Sequence, residues 1–212
     1  MKRIIGVYRN QQMHWVGDGF PVKNLFSYDR LGQAISPFLL LDYAAPYHFN
    51  PTTAQHGVGS HPHRGIESKD IPVVNFADDA GHIRVIAGSH ADHTGPASTY
   101  SPVNVWDGAL KTGFVEHIHV PVDHNTLVVV LEGEMLLNGT QKVMDSSIVM
   151  FARDNEPTIQ LEATQDAKFL VLTGLPLNEP IQGHGPFVMN TKDEIVQAFH
   201  DFNAGKFGQI SA

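Results

Sequence analysis

Not one of the 212 residues is a cysteine. That absence excludes a disulfide framework, thiolate catalysis and Cys-ligated zinc together. Positive charge is also scarce: 14 Lys and Arg stand against 22 Asp and Glu, for a net charge of -8, and no basic cluster occurs. Nucleic-acid binders rely on Lys and Arg to neutralise phosphates, so no direct contact with DNA or RNA is expected. No apolar run approaches the ~18 residues of a spanning helix, so no membrane partner is expected. Residues Met1 to Asn10 lack the apolar core of a signal peptide. The expectation is a soluble, cytoplasmic chain. Neither a repeat of fixed period nor a low-complexity tract is present.

What is present suits an ordinary globular protein: 42% of residues are hydrophobic and 17% charged. The length fits one large domain or two small ones. The 19 glycines and 13 prolines suit many short strands joined by turns. Trp15-Val16-Gly17-Asp18-Gly19-Phe20 reads as a tight turn between two strands. The apolar run of Ser36 to Tyr43 is consistent with a buried strand, and periodicity alone does not separate that from a helical segment. Tyr47 to Gly59, rich in Pro, Thr and Gly, reads as a loop. Closely spaced strands then follow around Val73, His82 to Ile86, Asn104 to Asp107, Phe114 to Val120 and Asn125 to Leu131. Others fall at Ile148 to Phe151, Thr158 to Leu161 and Phe169 to Leu172. Asn138-Gly139 is a strong hairpin signal. The set predicts an all-β sandwich or small antiparallel barrel. Near the end the period changes. Thr191-Lys192-Asp193-Glu194 is a capping box, and Ile195, Val196, Phe199 and Phe202 form a helical stripe expected to dock on the sheet. Gly205 stands where a C-terminal cap belongs.

The 13 histidines are scattered, with one informative pair. In His61-Pro62-His63-Arg64-Gly65-Ile66-Glu67, two imidazoles two residues apart on an extended segment project to one face. Pro62 biases His61 toward that extended conformation. Such a pair makes half of a facial metal site, and Glu67 could add an oxygen. The competing reading is a chance surface pair with a surface carboxylate beside it.

This motif, read with Pro37-Phe38-Leu39-Leu40-Leu41-Asp42 before it, resembles the amino-terminal half of pirins, members of the cupin superfamily. Glu179-Pro180-Ile181, Gly185-Pro186-Phe187-Val188-Met189-Asn190-Thr191 and Gly205-Lys206-Phe207-Gly208 resemble the pirin carboxy-terminal signature. Val85-Ile86-Ala87-Gly88 and Gly95-Pro96-Ala97 also fit. The resemblance implies a bicupin whose amino-terminal barrel holds iron or another divalent metal through the two histidines of the motif and a later His-x-Glu pair. It also implies a flavonol-like substrate in members that act as quercetin dioxygenases, and regulatory roles without catalysis in others.

One departure from the family pattern stands out. The block that would carry the later His-x-Glu pair is missing, and Glu67 runs directly into Ser68 to Val74, which resembles the entry to the second domain. The expected organisation is therefore a truncated amino-terminal cupin segment over 1-70 and a carboxy-terminal cupin domain with its helix over 71-212. The metal set carried over is His61 and His63, giving weak binding of iron or another transition metal. In the second barrel, counting back from Leu131-Glu132-Gly133 places the usual cupin ligands at Val120, Val122 and Thr126, none a good ligand. His117, His119 and His124 form a second histidine cluster, more simply read as a polar strand face. Three functions stay open: a dioxygenase-related protein with weak or no activity, a non-catalytic binding or regulatory protein, and a defective deletion product. An exposed edge at the truncated face implies possible self-association.

Overall fold

The computed structural model describes residues 1–54, 56–57 and 70–208. The chain opens with β1 (Ile4–Arg9), β2 (Met13–Val16) and β3 (Phe20–Ser27). A helical turn α1 (Tyr28–Leu31) and a 3₁₀ turn then lead to β4 (Leu40–Tyr43) and β5 (Val73–Asn75). Next come β6 (Gly81–Ala87), the short ladder β7 (Ser89–His90) and β8 (His93–Thr94), β9 (Val103–Leu110) and β10 (Val115–His119). The chain continues through β11 (Asn125–Glu132), β12 (Glu134–Leu137), β13 (Gln141–Met144), β14 (Ser147–Phe151), β15 (Thr158–Ala163) and β16 (Ala167–Gly174). It ends with the hairpin β17 (Gln182–His184) and β18 (Phe187–Met189), followed by α2 (Lys192–Asn203).

Two antiparallel sheets make the body: β1-β14-β11-β16-β9-β6-β5 and β10-β15-β12-β13. Alternation explains how they close on each other. On β9, Asn104, Trp106, Gly108 and Leu110 point inward while Val103, Val105, Asp107 and Ala109 point out. The space between the sheets is filled by Ile83, Trp106, Val128, Phe169 and Val171 from the larger sheet and by Ile118, Met135 and Leu161 from the smaller. Residues 126–130 and 147–151 lack alternation for a physical reason. The outer face of β11 and β14 is covered too, by a second core of Leu25, Phe26 and Ile35 against Leu127, Val129, Ile148 and Met150.

That second layer is the three-stranded sheet β2-β3-β4. It is pinned at one corner where the Tyr43 hydroxyl donates to Glu132 Oε1 at 3.1 Å. Burial, helped by the facing Glu132 carboxylate, pushes the Tyr43 hydroxyl up to about 12. The first strand also joins the body: β1 pairs with β14, with Tyr8 opposite Ile148. Ile4, Ile5, Val7 and Tyr8 suit a strand, and most of them stay exposed because β1 is the edge strand of its sheet.

Of three local sequence expectations, one is met as it stands and two need correction or refinement. The Ser36 to Tyr43 run is not a uniformly buried strand. Only Leu40 to Tyr43 is strand, and Leu40 is exposed, because β4 lies on the rim of its small sheet. The Asn138-Gly139 turn is as expected: both residues have positive φ, of 52° and 66°, and Thr140 N donates to the Leu137 carbonyl. The terminal helix has its capping box, Glu194 N to Thr191 Oγ1 at 3.2 Å and Thr191 N to Glu194 Oε2 at 2.8 Å. Gly205 follows its end with φ 71°. Its apolar stripe, however, packs on the β17-β18 hairpin rather than on a large sheet. Phe199 meets Phe187 edge-on at 4.9 Å, whereas Val196 and Phe202 stay exposed. Among the described residues no helix is long and apolar enough to cross a membrane.

Candidate functional site

An open cleft of about 600 Å³ lies at the free end of the three-stranded sheet. Trp15 of β2 reaches it, because the small sheet leaves that strand exposed at its edge. Tyr47 and Phe49, from the segment that follows β4, continue the wall. The rings meet edge-to-face, Trp15 to Tyr47 at 5.8 Å and Tyr47 to Phe49 at 5.0 Å. Each ring remains about half exposed, at 51%, 49% and 52%. Three aromatic rings left open on one concave wall offer flat apolar area for a planar ligand.

The polar side of the cleft is built by the β2-β3 turn. Asp18, between Gly17 and Gly19, accepts the Gly57 N–H on Oδ1 at 2.9 Å. Its Oδ2 lies 3.4 Å from His56 Nδ1. The Gly57 hydrogen bond, with His56 adding, holds the Asp18 carboxyl below its ordinary range, so it is ionised at neutral pH. His48 and His56 both line the cleft.

The predicted metal residues His61 and His63, and Glu67 with them, lie outside the described residues. Described chain runs up to Gly57, so the cleft sits on the segment that leads into the motif. The second histidine cluster is not brought together. His117 and His119 point outward from β10 on either side of the inward Ile118. His124 is buried at the end of the barrel, its Nδ1 3.0 Å from Thr173 Oγ1, which accepts from Asn104 Nδ2 at 2.8 Å. Burial lowers the His124 imidazole below its ordinary value, and the nearby Lys2 ammonium adds to this against Asp123. Among the described residues no group of three or more His, Asp or Glu could hold a metal ion.

The three positions counted back from Leu131-Glu132-Gly133 explain why the barrel interior does not suit a cation. Val120 is part of the apolar core, Val122 is partly exposed, and Thr126 points inward opposite Thr173. Among the described residues the buried Thr126 hydroxyl has no partner. An orphaned buried hydroxyl costs roughly 1–3 kcal/mol, and valine has the same shape without the polar atom. Thr126→Val is therefore expected to raise stability by about 1 kcal/mol, seen as a later chemical-denaturation midpoint. A loss instead would mean that the hydroxyl has a partner.

Sequence reasoning missed Trp15, Asp18, Tyr47, Phe49 and His56. It read the first two as a hairpin and the others as a loop. A usable signal existed: two aromatic residues in a Pro/Thr-rich stretch that feeds the histidine motif. A loop with nothing to pack on rarely keeps such rings.

The pirin C-terminal cupin domain family matches residues 105–208. A Pseudomonas aeruginosa protein named as a candidate quercetin 2,3-dioxygenase is 38% identical, with 98% of this chain and 99% of the relative covered. That alignment runs over 284 positions against a chain of 212 residues, so the relative has residues without a counterpart here. A pirin-like protein of Caulobacter vibrioides is 35% identical over 145 residues, spanning 66% of this chain and 50% of its own length. The chain thus spans about half the length of that relative. The crystal structure of a quercetin 2,3-dioxygenase from Acinetobacter baumannii superposes with a TM-score of 0.92 at 44% identity, covering 100% of both chains.

Proposed function

Because this chain belongs to the pirin family and has its cupin-type fold, we propose that it binds a flavonol-like planar molecule, with weak or no dioxygenase turnover. The observation that carries this reading is the aromatic cleft of Trp15, Tyr47 and Phe49, which lies on the segment leading to His61 and His63. A divalent metal, iron or another transition ion, would be held by His61 and His63, with Glu67 as a weak third donor. When bound, such a metal would orient the ligand and activate it toward oxygen. The donor set fits poorly. Two imidazoles leave the shell short of the three protein ligands of typical catalytic sites. The excess length of the Pseudomonas alignment supports a missing block in the amino-terminal barrel. A cytoplasmic location, and self-association through the truncated face around Phe38 to Leu41, where Leu40 is exposed, belong to the same reading.

A second reading, a purely non-catalytic binding protein, is favoured by the packed interior of the carboxy-terminal barrel. One set of measurements separates the two. Metal content of the purified chain is expected to be substoichiometric and released by mild chelators. Replacing His61 and His63 with alanine should remove the remainder. Oxygen consumption with quercetin is expected to fall about 100-fold below that of the Acinetobacter baumannii enzyme assayed alongside. Light scattering on the same preparation should report a dimer or larger. Full metal occupancy and comparable turnover would overturn the incomplete-site reading.

A further inference from the structure

The cleft holds a feature that ligand binding alone does not require. Asp18 and His56 come from separate segments, the β2-β3 turn and the chain after β4, and they meet at the cleft wall. The Gly57 N–H fixes one carboxylate oxygen, which leaves the other turned to His56 Nδ1. A carboxylate 3.4 Å from Nδ1 favours the tautomer with its proton on that nitrogen, which puts the lone pair on Nε2 of a side chain that lines the cleft. This is the arrangement by which a carboxylate orients a histidine base and stabilises the imidazolium formed when it takes a proton.

We propose that His56, positioned by Asp18, is the proton acceptor for the acidic hydroxyl of a planar flavonol-like ligand held against Trp15, Tyr47 and Phe49. The inference rests on the reading of the cleft as a planar-ligand site. The step balances simply. The O–H bond of the ligand hydroxyl breaks, its proton bonds to His56 Nε2, and the electron pair stays on the oxygen of the ligand anion. The imidazolium is neutralised by the Asp18 carboxylate. No oxidant and no metal takes part in this step. Placing a flat ligand over the half-exposed rings also removes water from around the pair, which strengthens its internal attraction. Among the described residues, His48 and Tyr47 are the other titratable side chains lining the cleft, and His48 is the alternative base.

The test uses the full chain, stripped with chelator and kept under argon, with 3-hydroxyflavone as probe. Its anion absorbs at longer wavelength than the neutral form, so proton transfer is read directly at a pH where the free probe is neutral. Equilibrium dialysis reads binding separately. The wild-type chain is expected to bind the probe and show the anion band. In His56→Gln the anion fraction of the bound probe, read at saturating protein, should fall at least about tenfold, since one lost pKa unit is a tenfold change in the proton equilibrium. Asp18→Asn should lower the anion fraction about tenfold by removing the charge that supports the imidazolium. Binding with an anion band that survives His56→Gln, or that disappears only in His48→Gln, overturns the role of His56 and leaves the cleft as a binding site. No binding by the wild-type chain overturns both.

Discussion

Gly133→Ala should destabilise the protein by about 3–5 kcal/mol, a large part of the ~5–15 kcal/mol that a domain possesses. Gly133 is the corner where the chain leaves β11 in the seven-stranded sheet and enters β12 in the four-stranded one. Its φ of 81° lies in the left-handed region, and a Cβ built there would overlap the backbone carbonyl of Asp166. Both partners are main chain, so no rotamer change relieves the clash. The Asp166 segment is itself held, because its carboxylate accepts the Thr112 N–H and hydroxyl. Gly139 supplies the control. Its φ is 66°, but a Cβ there meets nothing within 4 Å, so Gly139→Ala should cost only about 1 kcal/mol. Equal effects of the two substitutions in urea titrations would show that the corner is free to open.

A loss of about 3–5 kcal/mol is also expected from Phe26→Ala, with a functional consequence that a residue of the main barrel core would not have. Phe26 is 2% exposed in the layer between the three-stranded sheet and the outer face of β11 and β14. The same small sheet carries Trp15 and the Asp18 turn. Removing the ring leaves a cavity under that sheet, so its hold on the barrel weakens first. Proteolysis should then cut within the amino-terminal 70 residues before the barrel unfolds, and affinity for 3-hydroxyflavone should fall although Phe26 does not line the cleft. Unchanged affinity at reduced stability would show that the cleft keeps its shape without this packing.

Elements whose signal is local could be read from residue order alone. The capping box at Thr191 and Glu194, the Asn138-Gly139 turn and the alternation of β9 each depend on neighbours within a few positions. The absence of cysteine likewise excludes disulfide and thiolate chemistry whatever the fold, and the histidine motif points to the family. The rest depended on partners distant in sequence. β1 is a strand because β14, about 140 positions away, supplies hydrogen bonds to it. Residues 126–130 lose alternation because a second layer covers their outer face. His117, His119 and His124 look alike as a spaced set, yet a pleat turns the first two to solvent and burial ties the third to Thr173. The cleft depends on the same kind of distance. Asp18 and His56 are 38 positions apart, and only the return of the chain past β4 brings carboxylate and imidazole to 3.4 Å. Local periodicity records which face a side chain takes, and tertiary packing alone decides what that face meets.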